Sequence, residues 1–319
     1  MTVLVITEPA DVTCDLVIVE LNRRNVPVHR IDTADFPTTL AVTASLGGHG
    51  QWSGTIGDPY RTSPIEAIRS VYYRRPAAHR FPPGMDPHEQ RWAEQEARKG
   101  FGGLLQALPD ARWMNDPHAM TSADRKPRQL AVAESLGMAV PATLITNDPA
   151  AARAFVDAAP HGAIYKAMHA RPYIDRDSGQ VMALSTTPVT ADMITDAVTG
   201  TAHLFQHWIP KSYEVRVNVI GDRLFAARID AHSPAARIDW RTDYDSLTYE
   251  PITLPNLVAE QLVTLTRRLG LVFAAIDLIV TPEHDHVFLE VNPGGQWAWI
   301  EHETGLPIAS AIADYLEKP

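Results

Sequence analysis

Strict alternation marks Tyr213-Glu214-Val215-Arg216-Val217-Asn218-Val219-Ile220 as a strand, with valines on one face and Glu214, Arg216 and Asn218 on the other. Near the start, an apolar run at 3–6, a helical stretch at 11–24 and a second run at 28–32 give a β-α-β opening, and with it a parallel sheet. That opening lacks a glycine-rich turn, so it is not read as a dinucleotide site. Residues 41–46 and 51–56 predict a hairpin, 68–73 a further strand and 87–108 a helix charged on one face. Trp113-Met114-Asn115-Asp116-Pro117 closes this first region. A helical stretch begins at Ala119, and Pro127 starts a fresh helix that ends at Gly137, a well-placed C-cap glycine. Residues 140–146 read as a strand, Asn147-Asp148-Pro149 as the start of a helix, and 162–168 as a strand carrying Lys166.

Two more apolar runs, 271–280 and 286–291, flank the polar turn Thr281-Pro282-Glu283-His284-Asp285 and predict an antiparallel hairpin. A hairpin centred between Glu283 and His284 sets Val280 against Val287, Ile279 against Phe288 and Asp277 against Glu290. Such partners lie roughly 4.5–5.5 Å apart at Cβ, where two carboxylates repel. Asn292 shares the face of Glu290 because side chains repeat with period two. Two acids and an amide oxygen in apolar surroundings need compensating charge, and an all-oxygen set suits a hard divalent cation: Mg²⁺ carrying a nucleotide phosphate. Lys166, on a strand with apolar neighbours, is costly unpaired, and a phosphate would offset that cost. Beyond the hairpin, Asn292 to Glu301 reads as a loop with two glycines and two tryptophans, and Thr304-Gly305-Leu306-Pro307-Ile308 leads into a final amphipathic helix.

Composition narrows the class. With 319 residues, 45% of them hydrophobic, the chain can bury substantial cores and fits two or three subdomains of one α/β enzyme. A net charge of −10 without a basic block gives no reason to expect nucleic-acid binding. No apolar run is long enough to span a membrane, and the N-terminus lacks a basic signal region. The single cysteine, Cys14, excludes an intramolecular disulfide and a cysteine-based zinc site, which fits a reducing, cytoplasmic setting and a packing role for the thiol. Neither a nucleophile elbow nor a metal-spaced His/Cys cluster is present, so serine or cysteine hydrolase and zinc chemistry are set aside.

Asp277, Glu290, Asn292 and the following Asn292-Pro293-Gly294-Gly295-Gln296-Trp297-Ala298-Trp299 closely resemble the C-terminal signature of the ATP-grasp ligases, in particular the microviridin or graspetide branch. Asp124-Arg125-Lys126-Pro127-Arg128-Gln129-Leu130, the segment after Gly137 and Ile164-Tyr165-Lys166 resemble the central ATP-grasp subdomain, in order. The likeness is strong from Ala119 onward and looser before it, through Tyr72-Tyr73-Arg74-Arg75-Pro76. It implies an α/β ATP-grasp fold with a pre-ATP-grasp domain at 1–118, a central subdomain at 119–205 and a C-terminal subdomain with the metal site at 206–319. Residue by residue it implies two Mg²⁺ ions on ATP held by Asp277, Glu290 and Asn292, phosphates reached by Lys126 and Lys166, a base held around Gln206, His207 and Ile209, and a ribose bound by Glu214. Arg216 would face the transferred phosphate or the substrate carboxylate, which a guanidinium matches bidentately. Arg241, in Ile238-Asp239-Trp240-Arg241, would line the acyl-phosphate site. Arg228 stays open: a two-residue turn at Gly221-Asp222 puts it opposite Val215, away from Arg216, whereas a bulge reverses this. Where many relatives carry a glycine-rich lid, residues 168–180 hold only Gly179, so lid residues are unassigned.

The resemblance implies ATP-dependent activation of Asp or Glu side chains of a precursor peptide with a leader segment, followed by capture by Thr, Ser or Lys to give macrocyclic esters or amides. Arg74, Arg75, Arg171 and Arg176 are the local basic groups expected to dock such an acidic peptide. Two alternatives stand: a small-molecule carboxylate–amine ligase related to glutathione synthetase, and a non-catalytic scaffold that binds nucleotide and peptide. The Gln296-Trp297-Ala298-Trp299 and Asp239-Trp240-Arg241 segments favour the peptide branch. The oligomeric state, homodimer included, is left open by the sequence.

Overall fold

The computed structural model of the chain describes residues 2–47, 50–108, 110–169, 173–174, 181–182 and 186–318. Strand β1 (Thr2–Ile6), helix α1 (Val12–Arg23) and β2 (Val28–Ile31) come first, then a small antiparallel sheet of β3 (Ala41–Leu46), β4 (Trp52–Gly57) and β5 (Thr62–Pro64). Strand β6 (Ile68–Tyr73), helix α2 (Pro87–Gln106) and β7 (Arg112–Met114) follow. The first sheet runs β2-β1-β6-β7 and is parallel throughout, as the β-α-β opening requires. Asp11 caps α1, and burial beside it pushes the Cys14 thiol up to about 12, so Cys14 is a packing group.

Helices α3 (Pro117–Ala123) and α4 (Lys126–Ser135) lead into the middle sheet. Helix α4 begins one residue before Pro127, and Gly137, with φ +75°, takes the left-handed turn that ends it. The middle region holds β8 (Thr143–Thr146), α5 (Pro149–Asp157), β9 (Ala163–Lys166), the short ribbon β10 (Tyr173–Ile174) with β11 (Val181–Met182), β12 (Thr187–Val189) and β13 (His203–His207). Its sheet order is β12-β9-β13-β8, antiparallel at every pairing. The boundary expected at 205/206 falls inside β13.

The last sheet, β16-β15-β14-β17-β18, is built from β14 (Tyr213–Ile220), β15 (Arg223–Ala231), helix α6 (Pro234–Ile238), β16 (Leu247–Ile252), helix α7 (Asn256–Arg268), β17 (Phe273–Val280) and β18 (His286–Asn292). The valines of β14 pack with Leu262 and Leu265 of α7 and with Leu130 and Ala133 of α4. Beyond its opposite face a second cluster joins Val3, Val5 and Tyr72 of the first sheet to Phe273, Ala275 and Trp297. Each such large apolar side chain contributes about 1.5–3 kcal/mol when buried, so the first region and the last sheet form one packing unit. Strand β14 is therefore covered on both faces rather than half-exposed, and Glu214, Arg216 and Asn218 are buried.

One local expectation is corrected and one is met. The stretch after Asn292 is a loop only as far as Trp297, where helix α8 (Ala298–Thr304) starts. The last helix, α9 (Ile308–Leu316), is amphipathic as expected: Ile308, Ala309, Ala311, Ile312, Ala313 and Leu316 are buried against α1 and the first sheet, while Ser310, Asp314 and Tyr315 are only partly covered.

Candidate active site

Strands β14, β17 and β18 lie side by side, and their register builds the centre. Arg216 is the cross-strand partner of Asp277, which is the partner of Glu290. One step along, Asn218 faces Ala275, which faces Asn292. The Asp277–Glu290 pairing is the expected one, reached by another route. The turn is centred on Glu283, so Val280 faces His286 and Leu278 faces Phe288, and a bulge at Leu289 restores the register before Glu290. Phe288 N donates to Ala139 O (2.8 Å), which ties the bulged strand to the chain after α4.

The charges interleave. Arg216 Nη1 donates to Asp277 Oδ1 (2.7 Å), Lys126 pairs with Glu290, and Arg241 Nη1 lies 3.7 Å from Glu290 Oε1. The acids are thus neutralised by three cations that the hairpin alone does not reveal. Burial would raise the Glu290 carboxyl, but Lys126, Arg241 and Lys166 outweigh it and hold it well below the usual carboxylate range. For Asp277 the balance runs the other way: burial raises it, Arg216 only partly opposes this, and Glu290 adds to it. Burial likewise lowers Lys166, with Glu290 opposing and Lys126 and Arg241 adding.

Asn292 Nδ2 lies 3.2 Å from Asp277 Oδ2 and 3.5 Å from Glu290 Oε1. Among the described residues no cluster of three or more His, Cys, Asp or Glu gathers around a point. The amide thus turns its nitrogen to both acids, and the two carboxylates supply a partial oxygen set, of the kind that suits Mg²⁺ completed by water and phosphate.

A cleft between the middle and last sheets is lined by Lys126, Lys166, Gln206, His207, Ile209, Glu214, Arg241, Asp277, Glu290 and Asn292. Gln206 Nε2 donates to Thr143 Oγ1 (2.9 Å), while its Oε1 is buried without a partner. The His207 ring turns toward α5, with Nε2 3.1 Å from Phe155 O. Glu214 pairs with Lys211; burial raises its carboxyl and Lys211 opposes the rise. A second cavity adjoins the first and shares Trp240, Arg241, Asp277 and Asn292 with it, adding Arg75, Arg216, Gln296 and an aromatic wall of Tyr244, Tyr249 and Trp299.

Arg228 lines neither cavity, and the register left open in the sequence is decided. The two-residue turn sets it against Val215, and it pairs with Asp230 (2.7 Å) and covers the Tyr213 ring. Arg74 is no surface docking group either: it is buried, its Nε 2.6 Å from Asp11 Oδ2. Arg75 is exposed at the rim of the second cavity, while Arg171 and Arg176 lie outside the described residues, as does most of the 168–180 segment.

Several residues that shape the site were not singled out from sequence. Asp239 grips Arg241 with two hydrogen bonds of 2.8 Å. Gln129 joins α4 to β18 by bonding both the N–H (2.9 Å) and the carbonyl (2.7 Å) of Val291. Asn115 does the same for Phe273 and reaches Pro293 O (3.1 Å). Spacing offered a signal for some of these: Lys211 is three residues before Glu214, and Gln129 three after Lys126.

Comparison with known proteins bears on the whole chain. The MvdD pre-ATP grasp domain matches residues 2–121 and the RimK-like ATP-grasp domain residues 123–316. No curated protein sequence matches significantly. Among solved structures, the macrocyclase MdnC of Microcystis aeruginosa MRC, bound with precursor peptide MdnA, is 30% identical with a TM-score of 0.86, covering 99% of each chain. A Chryseobacterium gregarium RiPP-associated ATP-grasp ligase, in complex with ADP and a leader and core peptide, is 28% identical with a TM-score of 0.90, covering 100% of this chain and 97% of its own. The macrocyclase MdnB of Microcystis aeruginosa MRC is 28% identical with a TM-score of 0.81, covering 100% and 99%. The RimK-like match spans more than half of the sequence, and with the MvdD-type domain ahead of it the chain belongs to the ATP-grasp family.

Proposed function

We propose that the chain is an ADP-forming ligase that activates Asp or Glu side-chain carboxylates of a ribosomally made precursor peptide as acyl phosphates. It then joins them to Thr or Ser hydroxyls or Lys amines, giving macrocyclic esters or amides. The observation that carries this reading is the shared wall: Arg241, Asp277 and Asn292 line both the cleft and the second cavity. A phosphoryl group held on one side can meet a carboxylate held on the other without either leaving its site. MdnC bound with its precursor and the Chryseobacterium ligase bound with ADP and peptides support a nucleotide and a peptide as the two ligands.

On the nucleotide side, the unpartnered Gln206 Oε1 fits an exocyclic amine of adenine, and Glu214 fits a ribose hydroxyl. Lys126 and Lys166 hold phosphates. Asp277, Glu290 and Asn292 would hold Mg²⁺, two ions in the full complex, which supply positive charge to the phosphate oxygens. On the peptide side, Arg216 and Arg241 orient the incoming carboxylate so that one oxygen attacks the γ-phosphorus and ADP leaves. The hydroxyl or amine then attacks the acyl carbon; its proton is lost and inorganic phosphate departs with the oxygen that came from the carboxylate.

The wide aromatic wall of the second cavity favours a peptide over a small amine substrate. A pre-ATP-grasp domain at 1–118, with subdomains at 119–205 and 206–319, and a cytoplasmic setting complete the proposal. ADP release that depends on a leader-bearing acidic peptide is the test. Release driven as well by free amino acids, or no release at all, would overturn it.

A further inference from the structure

We propose that Gln296 is a positioning residue for Arg216, and that the first region of the chain acts on the reaction through it. The inference rests on the reading of Arg216 as the group that meets the carboxylate or the transferred phosphate.

Two contacts set the Arg216 guanidinium. One is Asp277, at 2.7 Å from Nη1; the other is the main-chain carbonyl of Gln296, 3.0 Å from Nη2. The carbonyl belongs to the loop after β18, which is laid directly on the guanidinium. A Cβ at Gly295 would stand 2.5 Å from Ala275 Cβ and 3.0 Å from Arg216 Nη2, so only glycine allows this approach. The loop's own support comes from residues more than two hundred positions earlier. Gln296 Oε1 accepts from Arg74 Nη2 (2.5 Å) and from Thr13 Oγ1 (2.5 Å), and Arg74 Nη1 reaches Gly295 O (3.3 Å). Arg74 is in turn fixed by Asp11, a buried carboxylate that also accepts from Thr7 Oγ1 (2.8 Å). The chain Asp11–Arg74–Gln296–Arg216 is therefore a continuous run of hydrogen bonds from the cap of α1 to the site, largely shielded from water. A charge-assisted network in such surroundings keeps a geometry that a surface contact would not.

Among the described residues the side chain of Gln296 serves only as an acceptor. Replacement by Glu keeps that oxygen, whereas replacement by Leu of similar size removes it. A guanidinium displaced by about 1 Å costs rate rather than nucleotide affinity. Gln296→Leu should therefore lower kcat by on the order of tenfold or more with KM for ATP unchanged, and Gln296→Glu should stay within about threefold of the parent. Thr13→Val, which removes one donor and leaves the Arg74–Asp11 pair intact, gives a smaller loss and guards against a folding defect in the Gln296→Leu protein.

The decisive experiment is a double-mutant cycle with Arg216→Lys, read as peptide-dependent ADP release, alongside crystal structures of the Gln296→Leu and Gln296→Glu proteins. If Gln296 acts through Arg216, the Leu substitution costs less than about twofold in the Arg216→Lys background. Equal losses in both backgrounds, or a Gln296→Glu protein as slow as the Gln296→Leu protein, overturn the proposal. The crystal structures decide it even if the parent shows no peptide-dependent turnover, an outcome that sinks only the ligase reading. An Arg216 guanidinium moved in Gln296→Leu and kept in Gln296→Glu supports the positioning role; one that stays put in both refutes it.

Discussion

Arg216 and Asp277 face each other across β14 and β17, with Nη1 2.7 Å from Oδ1 and both side chains buried. An acid suited to hold a metal is thus also the partner of the arginine suited to hold the substrate. Removing a metal ligand by mutation accordingly has two separable consequences. Asp277→Ala leaves a buried guanidinium without its partner and should lower stability by about 3 kcal/mol or more, whereas Asp277→Asn keeps an acceptor and should cost less. Both should reduce turnover by on the order of a hundredfold. Urea unfolding alongside ADP release separates the effects, and equal stability of the Ala and Asn proteins would contradict the pairing argument.

Lys166 offers a trade between stability and binding. Burial holds its ammonium below the ordinary lysine range, Glu290 opposing and Lys126 and Arg241 adding. Because the folded value is below the unfolded 10.5, the charged form penalises folding, and the penalty is fully present at any pH below the folded value. The penalty fades as pH rises through the folded value towards 10.5. Lys166→Met should therefore melt a few degrees higher than the parent at pH 7, lose that advantage in alkali, and bind ATP at least about tenfold more weakly. Calorimetry showing unchanged ATP affinity would remove Lys166 from the phosphate site.

Arg228 supplies a negative control. It sits against Val215 and pairs with Asp230, away from the Arg216 row. Arg228→Ala should keep kcat and both KM values within about twofold, while Arg241→Ala, on the wall common to both cavities, should lower kcat by about tenfold or more. A large loss in the Arg228→Ala protein would mean that the face assignment is wrong.

Arg75 and Arg74, adjacent in sequence, should behave differently. Charge reversal at Arg75, on the rim of the second cavity, should raise KM for peptide several-fold and leave KM for ATP alone. Reversal at Arg74 places a second acid against buried Asp11 and should show chiefly as a loss of folded protein, read from a melting curve.

How far the chain could be read in advance follows from the range of the contacts involved. The parallel opening, helix α4 between Pro127 and Gly137 and the Arg216 strand were legible because their signals are local. The Asp277–Glu290 pairing came from a register one residue out near the turn, compensated by the Leu289 bulge. That bulge is fixed by Ala139, about 150 residues away, and no local pattern announces it. The same holds for Arg74: its burial depends on Asp11 and Gln296, at opposite ends of the chain, so its sequence neighbours read it as surface charge. The compensating cations around Glu290 were named one by one, but not as partners, because they arrive from α4, β9 and the turn after α6.

The central claim is that a side-chain carboxylate of the peptide becomes an acyl phosphate in the cavity beside Arg216. It is tested most directly with a precursor peptide whose Asp and Glu carboxylates carry heavy oxygen, incubated with the protein, ATP and Mg²⁺. The account predicts that the peptide loses one water for each bond formed and that one heavy oxygen appears in inorganic phosphate per bond. Cross-linked peptide with unlabelled phosphate would contradict it.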